Sequence, residues 1–455
     1  SKVKRKESAL MEKTLRQKKN HPFVAKLVLF LLVTFCFAAV FTDNWLKTSL
    51  RDWQHDSEGN AIGRVYQMQL GLDNPSGLML TAPDADLHAT EHKFLSDSPL
   101  DELRLYWHQP GLQGFVYGLL NKALCALGQP PLLRLSALYF ATIWAFFVTF
   151  GAVCFWFYRE FGLAAALLGG IGTLCSAWTL KSIGNLYWVT ALYFLPFVLC
   201  AFVCRRYETA HSIPLRACLL IAAGVFLRFL SGFEFTPTTL ICMEAPLMYY
   251  WAKHPHDTKK WLRAALCAGL LSLAAFAVAF GIWMTQMAIG FGSWTEAYKE
   301  MLFPIAIRTG LISNVEIPAG ELADSLTMSI PNIIQTYLQG APMLGTLTMQ
   351  TLLLLYAALT AAVMALCAAL HDRAKLLCHA QLLVLCAIAL LAPMSWFVMG
   401  RGHAAIHTHI DYILWLFPLL PCMLAHMGYS LHTCCELLAV RRIPVQKTAQ
   451  AGGAK

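Results

Sequence analysis

The feature that most constrains this chain is the recurrence of apolar runs long enough to cross a bilayer, separated by short polar or basic stretches. Such runs lie at about 23 to 41, 132 to 158, 163 to 180, 186 to 204, 215 to 231, 235 to 252, 264 to 289, 343 to 370, 376 to 399 and 410 to 428. A hydrocarbon core about 30 Å thick needs about 20 apolar residues in a helix. Lipid offers no partner for exposed backbone N–H and C=O groups, so each run is expected to be helical. With 57% apolar and 13% charged residues, the composition excludes a water-soluble domain. The expected fold class is an all-α polytopic membrane protein of about ten transmembrane helices, with a large first outer loop that contains interfacial helices.

The basic residues set the orientation. A net charge of +9 would suit nucleic acid if it were spread over a soluble surface. Most of the 35 Lys and Arg instead fall within 1–26, 205–216, 253–263, 373–375 and the tail from 441, and few of the 26 acids do. Placing those stretches in the cytoplasm satisfies the positive-inside rule. It gives a basic tail over 1–22, a first span at 23–41 read as an uncleaved signal anchor, and an outer polar segment over 42–131. Six spans follow within 132–289, then an outer loop over 290–342, three spans within 343–428, and a cytoplasmic tail over 429–455. The run Leu112 to Leu127 is apolar enough for a span, but if it crossed, Arg205-Arg206 and Lys259-Lys260 would face outward. It reads as an interfacial helix with Asn121 and Lys122 on its wet side. The 15 cysteines show no paired spacing, and the long polar segment holds only Cys125, so no disulfide framework is implied. Trp45, Trp188, Tyr250, Trp251 and Trp415, near the ends of runs, read as interfacial anchors.

Three constellations could carry chemistry. Asp43 follows the first run directly, where a carboxylate can meet a lipid-linked phosphate ester and act as a general base; an ordinary helix-end aspartate leaves the same pattern. Asp84-Ala85-Asp86 offers two carboxylates that could hold a divalent cation beside phosphate oxygens, or are simply solvated. The third is Met399 to Asp411. Arg401 presents a fork for phosphate, and His403 and His407 share a face if the segment is helical, with His409 close by. It reads as a clamp on a lipid phosphate. Zinc suits the ligand types but not the spacing, and a loop facing headgroups is the plain alternative. Arg228 with Glu234, and Lys181, lie near outer span ends and could join the same phosphate site. Glu244 lies mid-span and needs a partner or a proton. Arg308 and Glu316 are placed to border a substrate groove.

The order of first span, Asp43, polar loop, Tyr106-Trp107-His108-Gln109-Pro110-Gly111-Leu112, amphipathic run to Leu127, Gly128, and Arg134-Leu135 opening the next span resembles the beginning of the GT-C glycosyltransferases. The likeness is to the mannosyltransferase and aminoarabinose-transferase branch and covers roughly the first 160 residues. That branch reads His-Pro-Pro-Leu where Gln109 and Gly111 here flank a single Pro110, and carries an acidic pair where this chain has Asp43 and Asn44. The resemblance implies transfer of a sugar from a polyprenyl-phosphate donor to a glycan, lipid or protein acceptor, with inversion, on the non-cytoplasmic face of a bacterial inner membrane. It puts Asp43 in the catalytic position, His108 beside the substrate, and asks Asp84 or Asp86 for a second acid. A lipid-linked glycan flippase and a membrane acyltransferase built on the histidines are the alternatives. The first requires charges and broken helices near the bilayer midplane, the second a histidine facing a lipid tunnel.

Overall fold

The structure, a computed structural model, describes residues 2–48, 51, 55–72, 74, 76–82, 87–99, 104–309, 328–343, 345–408 and 410–441; side chains at 2–23, 55–56, 82, 87, 303, 411 and 440–441 lie outside that description. The fold is helical almost throughout. Among the described residues, six segments are long and apolar enough to cross a membrane: Val24–Lys47, Pro131–Phe161, Pro255–Phe291, Met349–Ala369, Arg373–Met399 and Tyr412–Ala439. This is a membrane-embedded helical bundle. The other four runs also form helices, but shorter ones: α6 (Leu163–Leu174), α8 (Thr190–Arg206), α9 (Leu215–Ser231) and α10 (Thr236–Lys253). At 1.5 Å per residue α6 extends only about 18 Å. Its run is interrupted by a backbone contact, with Ser176 bridging to Met343 and the Ala177 N–H donating to the Pro342 carbonyl at 3.1 Å. The chain resumes there as the single turn and a half of α7 (Ala177–Ser182).

Packing follows a simple circuit. The first helix, α1 (Lys2–Lys47), lies on α5 (Pro131–Phe161), and α5 lies on α6 and α8. Helix α10 joins α8 to α11 (Thr258–Phe291) and to α15 (Arg373–Met399). Helices α14 (Met349–Ala369) and α15 then meet α17 (Leu419–Arg441), which returns against α6. Aromatic rings fill the centre: Phe146 stacks on Phe150 at 5.2 Å, and Trp156 meets Phe197 and Tyr249 edge-on. Such edge and offset contacts add to area burial because the ring quadrupoles oppose.

At one end of this bundle the basic stretches converge on acids. The Glu160 side chain at the end of α5 is buried, pairs with Arg205, accepts from Lys253 Nζ at 2.7 Å, and receives the hydroxyls of Tyr249 and Tyr250 at 3.2 and 2.8 Å. Glu208 takes Lys253 and His254, each at 2.8 Å.

At the other end the segment between α1 and α5 forms a small layer of its own. It contains α2 (His55–Gln69), α3 (Leu87–Leu95), α4 (Leu112–Ala126) and a two-stranded antiparallel ribbon, β1 (Leu80–Ala82) with β2 (Arg104–Tyr106). Helix α4 packs on α2, and Gly118 allows the close approach: a Cβ there would stand 2.3 Å from the Met68 sulfur. Two expectations change here. Asn121 is not on a wet face; it is buried against α2, donating to Gln69 Oε1 at 3.0 Å and accepting from Arg134 at 3.3 Å, while Lys122 is exposed. The run-end aromatics Trp45, Trp188, Tyr250 and Trp415 are not membrane anchors but buried core. The physical reason is common to both: neighbouring chain covers these ends, so they do not meet headgroups.

Candidate functional site

A cavity of about 290 Å³ opens between that layer and the bundle, lined by Ser57, Tyr106, His108, Tyr187, Trp188, Glu234, Pro304, Ile307, Arg308, His403, Ile406, His407 and Ile410. Each wall has a local cause. Strand β2 ends in Tyr106, and the turn that follows carries His108, whose ring stacks on Tyr106 at 4.9 Å. Gly111 closes the turn at φ 91, and a Cβ there would meet the Leu78 carbonyl at 2.6 Å; only glycine satisfies both conditions. The loop from Ile183 to Val189 is fixed from three sides. Asn185 Oδ1 accepts from the N–H groups of Tyr187 and Trp188 at 3.0 and 2.9 Å, Glu58 Oε1 accepts from the Leu186 N–H at 2.6 Å, and Trp45 lies flat against Gly184.

Glu234 is the cavity's carboxylate. Its Oε1 takes the Tyr187 hydroxyl at 3.2 Å and faces Arg308 at 3.6 Å. In the amide orientation its neighbours impose, Gln109 donates to Glu234 Oε2 at 3.1 Å. Tyr106 and Tyr187 join their hydroxyls at 3.1 Å. Arg228 holds this turn from below: its guanidinium donates to the carbonyls of Gly232 and Glu234, both at 2.7 Å, and lies 3.7 Å from the centre of the Tyr193 ring. The residues directly after two lining residues, Val189 and Phe235, have φ of 44 and 60. A non-glycine residue held in this region stores about 1–3 kcal/mol, so the packing over-determines both turns.

Arg308 comes from α12 (Trp294–Thr309) and His403 from α16 (Arg401–Ile406), which His407 caps. Tyr337 of α13 (Ile330–Gln339) anchors that short helix by donating to the carbonyls of Ala404 at 2.8 Å and His407 at 3.4 Å. The His403 and His407 rings lie 4.4 Å apart, the shared face expected of a helical segment. Burial first, and the Arg308 charge second, push the His108 imidazole down to about 4 and that of His403 to about 3, against the opposing influence of Glu234. Both are therefore neutral hydrogen-bonding groups near pH 7. Among the described residues the cavity combines the Arg308 cation, the Glu234 carboxylate and the neutral imidazoles of His108 and His403.

Comparison with known proteins adds no identity. No family model, curated protein or solved structure matches this chain.

Of the residues singled out from sequence, His108, Glu234, His403 and His407 meet in this cavity, and Arg308 joins them. Arg228 acts behind Glu234 rather than in the space. Arg401 begins α16 and is not among the lining residues, and Lys181 is exposed. Asp43 stands in the last turns of α1, within the helix rather than after it, exposed and paired with Lys47 at 2.7 Å; it is not among the lining residues either. Asp84, Asp86, Glu316, His409 and the Asp411 side chain lie outside the described residues. Among the described residues, no group of three His, Cys, Asp or Glu side chains is disposed to hold a metal ion.

Sequence reasoning missed Tyr106, Tyr187 and Glu58. Glu58 is fully buried next to Glu91, which pairs with Arg51 and accepts from Tyr139 at 3.1 Å. Burial, reinforced by the Glu91 charge, pushes the Glu58 carboxyl well above its ordinary value. A lone glutamate in a polar segment gives no signal for this. Also unread were His379 and His426, which share a hydrogen bond of 3.0 Å inside the bundle, with the Tyr356 hydroxyl 2.8 Å from His426.

Proposed function

We propose that this protein is an integral-membrane glycosyltransferase that moves a sugar from a polyprenyl-phosphate donor to an acceptor at the non-cytoplasmic face, within a bundle of ten membrane helices. The observation that carries the reading is the pairing of Glu234 with Arg308 in a cavity that is also walled by His108, His403 and His407. The resemblance of the first 160 residues to GT-C enzymes supports it, because His108 belongs to that stretch and lines the same space.

In this proposal the donor phosphate binds Arg308, with His403 as a neutral N–H donor and His407 beside it. The acceptor hydroxyl attacks the anomeric carbon and the bond from that carbon to the phosphate oxygen breaks. The electron pair leaves on the phosphate, where Arg308 neutralises it. The hydroxyl proton passes to Glu234, whose contact with Arg308 is loose enough at 3.6 Å for the guanidinium to turn to the incoming phosphate. Asp43, on the exposed side of α1, is the second candidate for the base. Tyr187 and Gln109 hold Glu234 in one orientation, as a positioned base requires.

The test is incubation of the purified protein with radiolabelled polyprenyl-phosphate sugars and a mixed acceptor pool, without nucleotide sugars. Labelled product that disappears in Arg308→Ala supports the reading. No transfer from any lipid-phosphate sugar by folded protein would overturn it.

A further inference from the structure

Helix α12 starts where a lipid-facing helix ends. The uncovered apolar side chains of α11 run from Leu262 through Leu266, Leu270 and Val278 to Ile289, which is 53% exposed. Three residues later, Gly292 adopts φ +67, a conformation that strains other residues, and ends the helix. Ser293 then receives the N–H groups of Thr295 and Glu296 at 3.2 and 3.4 Å, opening α12. The turn is two residues long. Helix α12 therefore begins at the depth where the apolar surface of α11 gives out.

Its three sides differ. Ala297 and Met301 pack with Trp283 and Met287 of α11, and Pro304, Ile307 and Arg308 wall the cavity. Glu296 and Lys299 pair at 2.8 Å on an exposed side. Between these lies a stripe at helical spacing, Trp294, Tyr298, Leu302 and Ile305, exposed by 61, 54, 44 and 37%. Its tryptophan and tyrosine are the side chains that settle at a membrane–water boundary.

We propose that α12 lies in the plane of the membrane, with Trp294, Tyr298, Leu302 and Ile305 inserted into the leaflet at the cavity end of the bundle, so that phospholipid covers this face. Continuity with the lipid-facing side of α11 favours lipid over a second copy of the chain. Another side of the same helix is the cavity wall, so the cavity sits at headgroup depth, where helices of this kind ride. This inference stands whether or not the site transfers sugar.

The test uses the full chain in phosphatidylcholine vesicles that contain a phosphatidylcholine with a diazirine on its acyl chain. After irradiation, mass spectrometry locates the adducts. Adducts on Trp294, Tyr298, Leu302 and Ile305 should match those on Leu266 and Leu270 in yield and be lacking on Glu296 and Lys299. The double variant Leu302→Glu with Ile305→Glu should lose the α12 adducts and keep those on α11, which also reports that the bundle is intact. Labelled α11 beside unlabelled α12 overturns the proposal. So does an amine-reactive cross-link between Lys299 of two copies in place of the lipid adducts, which assigns the face to a dimer.

Discussion

Two glutamates at opposite ends of the bundle differ in what surrounds their carboxylates. Glu160 is surrounded by Arg205, Lys253, Tyr249 and Tyr250, so its lone pairs are taken and its charge is more than balanced. Glu234 has one cation at 3.6 Å, a tyrosine, an amide and an open space beside it. Both side chains are buried, and neither is distinguishable from the other by residue type. The closed network ties α5, α8 and α10 together, whereas the open one leaves capacity for a ligand.

The sharpest way to break this contrast is to neutralise both. Glu234→Gln should keep the fold and lower transfer about 10²-fold or more, the usual loss of a general base. Glu160→Ala should cost about 1–3 kcal/mol of stability by removing the acceptor of two tyrosine hydroxyls and of the half-buried Arg205 and Lys253, while the folded fraction keeps its activity. Thermal denaturation and turnover on the same preparations separate the two, and exchanged phenotypes would reverse the assignment of roles.

A smaller effect is expected one step behind the site. Arg228→Lys keeps the charge but cannot serve the Gly232 and Glu234 carbonyls with one planar fork, so transfer should fall about tenfold. The loss should appear in kcat more than in KM, because the turn and not the phosphate contact has moved. An unchanged kcat would relieve Arg228 of any positioning role.

The cavity's imidazoles give a pH signature of their own. His108 and His403 have their values lowered from 6.5 to about 4 and about 3. Between 6.5 and 4 the unfolded chain binds the protons and the folded one does not, so stability falls as pH drops through that window. Melting temperatures across it should slope downward toward acid. His403→Gln should flatten the slope, and an unaltered slope would place the titrating groups elsewhere.

The smallest change is expected at Asp43. Its exposed ion pair with Lys47 is worth about 0.3–0.5 kcal/mol at this helical spacing, so Asp43→Asn should be nearly silent in stability and in transfer. A loss as large as that of Glu234→Gln would move the base to α1.

Several parts of this site were legible in the chain. The segment from Arg401 to His407 stood out because so dense a polar run between apolar runs is costly to place in a membrane, and the shared face of His403 and His407 follows if the segment is helical. Arg228 and Glu234 stood out as charges near the outer ends of two successive apolar runs. In the polar segment before α5 only the run that forms α4 was legible as a helix: α2 and α3 bury Glu58 and Glu91 against the bundle, and such burial leaves no periodic apolar trace. Tyr187 sits within an apolar run and reads as core until its hydroxyl is seen on Glu234.

What the sequence determined by itself is the helical, membrane-embedded class, because long apolar segments in lipid have no other way to satisfy their backbone. It also bounded the places where polar chemistry could occur. The tertiary structure decided which of those places meet. His108, Tyr187, Glu234, Arg308 and His403 come from five separate stretches, and their convergence depends on helix packing, on the turn at Gly111 and on the early break of α6, none of which a local pattern encodes. Asp43 and Glu234 look equally well placed along the chain, each beside the end of an apolar run. Only packing turns one toward a cavity and leaves the other on the surface, since which side of a helix end is covered is set by the elements that fold over it.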